Sequence, residues 1–291
     1  MPELPEVETV RIGLERLLPG KRIARVTYDW PKGFPNTQAD IDAYLVGAKV
    51  AAVKRRAKVL LIELDTKYSL VIHLKMTGQL VFRGAGQAFG AGHPNQSLVG
   101  ELPDKSTRVI FTFEDGDQLF FNDQRKFGWI RLLPTAEVPM IDFFQKVGPE
   151  PLADDFTATD FVQRLRRRNG SGVKAVLLDQ TVVAGIGNIY ADESLWGAKI
   201  HPLEKISDIS DERLKVLYEK LTAVLRLSIE KGGSTDKNYV DAEGRRGSYL
   251  TFANVFRREG KPCPRCGTTI IKMRVAGRGT HICPVCQKEP R

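Results

Sequence analysis

All four cysteines of the chain stand near its C-terminus as Cys263-x2-Cys266-x16-Cys283-x2-Cys286. Two CxxC knuckles at this separation offer four thiolates, the tetrahedral donor set of zinc. Four free or disulfide-linked cysteines are the alternative. Cysteines clustered this way in a chain without an apolar leader favour metal. With every position a protein ligand, none is left open for chemistry, so one structural Zn2+ is expected. It would staple a short β-hairpin whose core is too small to fold alone. The hairpin tip is placed at Ala276–Thr280, where Arg278 stands between two glycines.

The chain of 291 residues carries a net charge of +9, which favours a polyanionic partner. Most of that excess lies with the cysteines: Arg257 to Arg291 holds nine Lys/Arg against two Glu. No apolar run approaches the ~20 residues of a membrane span. The expectations are no membrane partner and a cytoplasmic location.

Apolar residues Val7, Val10, Leu14, Leu17 and Leu18 repeat at helical spacing, so Pro5–Leu18 reads as a helix that Pro19-Gly20 ends. From 22 to 133 the pattern is that of short strands: Ile23–Tyr28, Lys49–Ala57, Val59–Leu64, Ser69–Leu74, Leu80–Arg83, Arg108–Phe113, Gln118–Asn122 and Trp129–Leu132. Many short strands suggest a sandwich or barrel. Gly84–Asp104 has no periodicity and reads as a mobile loop, and Gly148–Pro151 reads as a linker. Helices are expected at Thr159–Arg168, Val173–Leu178, Ile189–Trp196 and Ser210–Lys231.

The chain opens MPELPEVETV. If the initiator methionine is trimmed, Pro2 presents a free secondary amine. An α-amine titrates near ~7.7–8.0, so part of it is neutral and nucleophilic at physiological pH. Pro2 and Glu3 precede a helix N-terminus, whose positive end disfavours a charged amine and favours a carboxylate. A plain start followed by a helix cap is the other reading. Between two helices, Val183–Asn188 holds two glycines that let a backbone approach a phosphate; Asn188 either caps the next helix or contacts that phosphate. Arg164, Arg166, Arg167 and Arg168 form a solvated face or a phosphate contact. Asp123–Gly128 pairs two cations with an aromatic, either a hairpin turn or a wedge for a base stack. Met76 reads as a core gap-filler or part of that wedge.

Together these stretches resemble the formamidopyrimidine-DNA glycosylases, bacterial enzymes that remove oxidised purines. The likeness spans the chain: PELPEVETV, RRAK around Lys58, HLKMTG around Met76, DQRKFG, VAGIGNIYADE, GGST at Gly232–Thr235, and the cysteine module. It implies an α+β multidomain fold: an N-terminal β-sandwich with flanking helices, a helical helix-two-turn-helix domain, and a C-terminal zinc-finger β-hairpin. The corresponding spans are 1–133, a linker at 134–152, 153–251 including a lesion-capping loop, and 252–291. Double-stranded DNA with oxidised bases or abasic sites would lie in a cleft between the halves of a monomer.

The resemblance also implies roles. Pro2 would attack C1′ of the damaged nucleotide and form a Schiff base, followed by β- and δ-elimination. Glu3 would be its acid-base partner, Glu6 a supporting carboxylate, and Lys58 a phosphate-contacting lysine that assists elimination. Arg278 would grip the phosphates flanking the lesion, with Asn188 sharing that grip. Met76, Arg125 and Phe127 would fill the gap left by the flipped nucleotide, Arg125 pairing with the orphaned cytosine. Arg168, Lys174 and Tyr239 join the DNA-contacting set. Where relatives often carry a His-x-His pair, this chain has Ser106-Thr107-Arg108, and Arg108 would take over the phosphate contact. Lys126 stands where arginine is frequent, keeping charge without the bidentate fork. Two other functions fit parts of the pattern. An endonuclease VIII-type glycosylase for oxidised pyrimidines shares the proline, glutamate, lysine and zinc finger. A non-catalytic zinc-ribbon DNA-binding protein would leave Pro2, Glu3 and Lys58 unexplained.

Overall fold

The computed structural model describes residues 2–93, 96–234 and 249–290. The chain divides into two units, one of residues 1–145 and 231–248, the other of residues 146–230 and 249–291.

The first unit begins with helix α1 (Leu4–Leu17), which buries Val7, Val10 and Leu14. Strand β1 (Ile23–Tyr28) and the short helix α2 (Gln38–Asp40) follow, and α2 runs into a π-helical turn, Ile41–Leu45. The remaining strands are β2 (Val50–Arg56), β3 (Val59–Leu64), β4 (Tyr68–His73), β5 (Gly78–Gly84), β6 (Gln87–Gly92), β7 (Thr107–Phe113), β8 (Gln118–Asp123) and β9 (Trp129–Pro134). They form two antiparallel sheets, β1-β7-β8-β5-β6 and β2-β3-β4-β9. Alternating residues such as Leu60, Ile62, Phe82, Phe111 and Phe121 meet in one core with α1, so the expected sandwich is present.

Two segments differ from the sequence reading for one physical reason. Several strands are apolar on both faces, and an apolar outer face must be covered. Residues 84–104 are not simply a loop. They supply β6, paired with β5 from Gln79↔Gly92 to Gly84↔Gln87, and a 3-10 turn, Gln96–Leu98. Leu98 and Leu102 cover the outward Val81, Phe120 and Ile110. Inside, Phe89 fits because α1 carries glycine at 13: a Cβ there would lie 2.1 Å from the Phe89 ring. Likewise, much of the expected linker is folded. A 3-10 turn (Thr135–Met140) and helix α3 (Asp142–Lys146) put Val138, Phe143 and Phe144 over Val59, Val71 and Trp129. Gly148–Pro151 is also tied down, with Gly148 N–H on Gln180 O and Ala184 N–H on Pro149 O.

The second unit contains helices α4 (Ala158–Arg166), α5 (Val173–Leu178), α6 (Asn188–Gly197), α7 (Asp211–Glu230) and α8 (Tyr249–Phe252) around a core of their own. Thr157 and Asp160 make a capping box at the start of α4. Strands β10 (Ile271–Val275) and β11 (Arg278–Ile282) form a hairpin closed by Ala276 and Gly277, both at positive φ, as a two-residue turn of primed type requires. No described helix is long and apolar enough to cross a membrane.

Candidate active site and nucleic-acid interface

In the first unit, Pro2 is buried at the N-terminal end of α1, where Glu3 is the N-cap and Glu6 closes a capping box. Glu6 uses both oxygens. Oε2 accepts the Glu3 N–H at 2.8 Å, and Oε1 accepts the Ser234 N–H at 2.8 Å. Beside it Gly233 has φ +87, and a Cβ there would press on Glu6 at 3.3 Å. One carboxylate thereby joins the start of the chain to the GGST stretch.

Lys58 is buried in the two-residue turn between β2 and β3, with Ala57 before it at φ 54. Arg55 secures this turn. Its Nη1 donates to Ala57 O at 2.9 Å while its Nε donates to Glu8 Oε2 on α1 at 2.7 Å. The helix that carries Pro2 and Glu3 therefore also anchors the turn that carries Lys58. His73 lies opposite Val59 in the adjoining strand. Burial above all, then the charges of Lys75 and Lys58, push its pKa down to about 3 and keep it neutral. Its Nδ1 accepts the Lys75 N–H at 3.0 Å.

Met76 is half-buried in the turn between β4 and β5, and Arg125 and Phe127 project from the turn after β8. Phe127 is 52% exposed, unusual for so apolar a group, and the Arg125 guanidinium lies 4.7 Å from its ring centroid. Asp123 underlies both turns. It accepts the Thr77 hydroxyl and the N–H groups of Arg125, Phe127 and Gly128.

Arg108 is a correction. It is buried, and its guanidinium donates to Asp29 Oδ2 at 2.5 Å, to Asp123 O at 3.0 Å and to Lys105 O. It braces the β7–β8 edge and is not placed to replace a phosphate-binding histidine.

In the second unit, the arginine cluster divides. Arg164 donates to Val182 O and Thr181 O, and Arg166 pairs with Asp211, whereas Arg168 is exposed and only loosely paired with Asp179 at 3.5 Å. Asn188 does not cap α6, since the N-cap is Gly187. Its Nδ2 instead donates to Gly279 O at 2.9 Å, which places it against the hairpin one residue from the exposed Arg278. Lys174 is the second correction. Its side chain is fully buried, with Nζ 2.6 Å from Asp192 Oδ1 and 2.6 Å from Thr280 Oγ1, so the ammonium is spent inside the protein. Asp192 Oδ2 also accepts the His281 N–H at 2.9 Å. The neighbouring Glu193 accepts the N–H groups of Asn254, Val255 and Phe256. Tyr239 lies outside the described residues.

The four cysteine sulfurs lie within 4.8 Å of one another. Cys266 and Cys283 sulfurs are 3.4 Å apart, and those of Cys286 and Cys266 are 3.6 Å apart. Zn–S bonds of about 2.3 Å put tetrahedral sulfurs about 3.8 Å apart, so the cage fits zinc. N–H groups of Trp196 and Arg265 point at Cys263 Sγ, and that of Cys286 at Cys283 Sγ, as befits thiolates. Cys263, Cys266, Cys283 and Cys286 form a structural zinc site.

Asp123, His73, Arg55 and Asp192 escaped the sequence reading. Each sits inside or next to a stretch singled out for another residue, and only pairing across strands and helices reveals its part.

Comparison with known proteins gives three consecutive domain matches: the formamidopyrimidine-DNA glycosylase N-terminal domain over residues 1–130, its H2TH domain over 147–239, and a zinc finger found in FPG and IleRS over 260–288. The formamidopyrimidine-DNA glycosylase of Herpetosiphon aurantiacus is 44% identical over 289 residues, covering 99% of this chain and all of that one. The wild-type Lactococcus lactis Fpg, solved with an N7-benzyl-Fapy-dG containing DNA, superposes with a TM-score of 0.86 at 34% identity, over 99% of this chain and 100% of that chain. A MutM bound to DNA containing carbocyclic 8-oxo-G gives a TM-score of 0.85 at 34% identity with the same coverage. On full-length identity, domain order and fold, this chain belongs to the formamidopyrimidine-DNA glycosylase family.

Proposed function

We propose that the chain is a bifunctional DNA glycosylase and AP lyase that excises 8-oxoguanine and formamidopyrimidines from duplex DNA in the bacterial cytoplasm, for base excision repair. The observation that carries this reading is the start of α1. Pro2 lies next to Glu3, and the same helix holds the Lys58 turn through Glu8 and Arg55.

With Met1 removed, the Pro2 nitrogen lone pair forms a bond to C1′. The glycosidic C1′–N bond breaks, and the base departs with its electron pair and takes up the proton that the Pro2 nitrogen sheds after bonding to C1′. Glu3 protonates the ring oxygen as the sugar opens, leaving an iminium on Pro2. The iminium acidifies C2′; loss of that proton expels the 3′ phosphate, and a second elimination expels the 5′ phosphate. Water then hydrolyses the imine and frees Pro2. Lys58 and Arg278 hold phosphates, and Asn188 steadies the hairpin beside Arg278. Phe127 and Met76 fill the vacated stack while Arg125 addresses the orphaned base, offsetting part of the few kcal/mol that flipping costs.

The test is borohydride trapping on a duplex with 8-oxoguanine opposite cytosine, followed by peptide mapping. A cross-link at Pro2, lost in Pro2→Gly while DNA binding persists, is the expected result. Equal trapping in Pro2→Gly would move the nucleophile elsewhere. Trapping only on thymine glycol duplexes would favour the pyrimidine-excising alternative.

A further inference from the structure

We infer that Asp123 is the positioning residue that sets which base is accepted opposite the lesion, because its one carboxylate holds the turns carrying Met76, Arg125 and Phe127 as a single piece. The inference rests on the function proposed above and concerns a residue that touches no DNA itself.

Asp123 is wholly buried at the end of β8, directly across the ladder from Gly78. Oδ1 accepts the hydroxyl of Thr77, the neighbour of Met76, and the Arg125 N–H at 3.1 Å. Oδ2 accepts the Phe127 N–H at 2.8 Å and the Gly128 N–H at 2.6 Å. Thr77 Oγ1 accepts the Arg125 N–H as well, at 3.1 Å, closing a ring of bonds across the two turns. An ionised carboxylate is the side chain that accepts four such donors, since an amide of the same shape turns one of its two oxygens into a donor.

The surroundings are fitted to this arrangement. A Cβ at Gly128 would lie 2.7 Å from the Phe121 ring and 3.1 Å from Asp123 Oδ2. Lys126, between Arg125 and Phe127, is held at φ 56. The side chains of Arg125 and Phe127 are exposed, and the guanidinium lies 4.7 Å from the ring centroid. Their aim therefore comes from the backbone, and the backbone of this turn is fixed by Asp123. Hydrogen bonding to a base edge depends on that aim, whereas filling a gap with a phenyl ring tolerates more error. A loosened turn should cost discrimination before it costs insertion.

The experiment measures kcat/KM on 8-oxoguanine opposite C and opposite A for wild type, Asp123→Asn and Thr77→Val. Asp123→Asn should lower the C-to-A preference about tenfold, the size expected for misplacing one hydrogen bond to a charged group. The loss should fall on KM for the C duplex. 2-Aminopurine in the orphan position should brighten as stacking loosens. Thr77→Val should shift the preference the same way by less. If both duplexes slow together at an unchanged ratio, Asp123 supports only the fold and the inference falls. If Asp123→Asn does not fold, Thr77→Val decides by the same ratio. Wild-type protein that forms no imine with either duplex overturns the enzymatic reading and this inference with it.

Discussion

The sandwich unit and the helical zinc unit both hold loops that are proposed to meet DNA, and they hold them by different means. The sandwich rests on a wide apolar core that includes Phe82, Phe111 and Phe121. In the second unit, the hairpin has little apolar support: Val255, Ile270 and two cysteines. Instead it is fastened by zinc ligands and by a fully buried ion pair, Lys174–Asp192, that reaches from α5 and α6 to Thr280 and His281. A buried charge pair adds little net stability, but removing one partner is costly. The finger is thus exact in placement and brittle to single changes, while the sandwich should degrade gradually.

Removing zinc tests this contrast most severely. About 10 kcal/mol or more of folding free energy comes from metal in comparable cysteine sites. Chelation should abolish amide protection over residues 260–288 in hydrogen exchange and leave the sandwich strands protected. Parallel loss in both units would break the comparison. Next in size, Lys174→Ala strands Asp192 in the interior and should cost about 3–5 kcal/mol in urea unfolding of the second unit. An effect below about 1 kcal/mol, the scale of an exposed pair, would show that the charges are solvated in solution.

The smallest effect sharpens the contrast from the sandwich side. His73 stays neutral in the fold down to about pH 3, chiefly through burial, while in the unfolded chain it takes up a proton near 6.5. Above about pH 6.5 it contributes no pH dependence. Below that the unfolded state binds the extra proton, so stability falls by up to about 1.4 kcal/mol per pH unit until about pH 3. His73→Gln should flatten this part of the slope between pH 7 and 5. Matching slopes in the two proteins would mean that His73 protonates without unfolding.

Much of this was legible in the sequence. Period-two strands, the helix after Pro2 and the cysteine spacing are local patterns, and each appears where the pattern put it. The zinc site needed no tertiary information because spacing alone defines it. Strand β6 was hidden because Gln87–Gly92 is mostly glycine, alanine and glutamine. Its one large apolar residue, Phe89, packs against Gly13, which is remote in sequence. Lys174 and Arg108 were misread for a related reason. A cation looks the same in sequence whether it faces water or an aspartate, and only the fold brings Asp192 and Asp29 to them. Asp123 stood in a recognised stretch, but its meaning lies in Thr77, in the turn between β4 and β5.

The Glu6 carboxylate has a consequence in time. Its Oε1 waits for the N–H of Ser234, 228 positions later in the chain. Strand β9, the last of the sandwich, ends at Pro134. At roughly 5–20 residues per second, synthesis leaves an interval of about 5–20 s in which the strands can assemble before Ser234 is made. During that interval the start of α1 lacks this hydrogen bond, so the Glu6 carboxylate gains its Ser234 partner only once most of the protein exists.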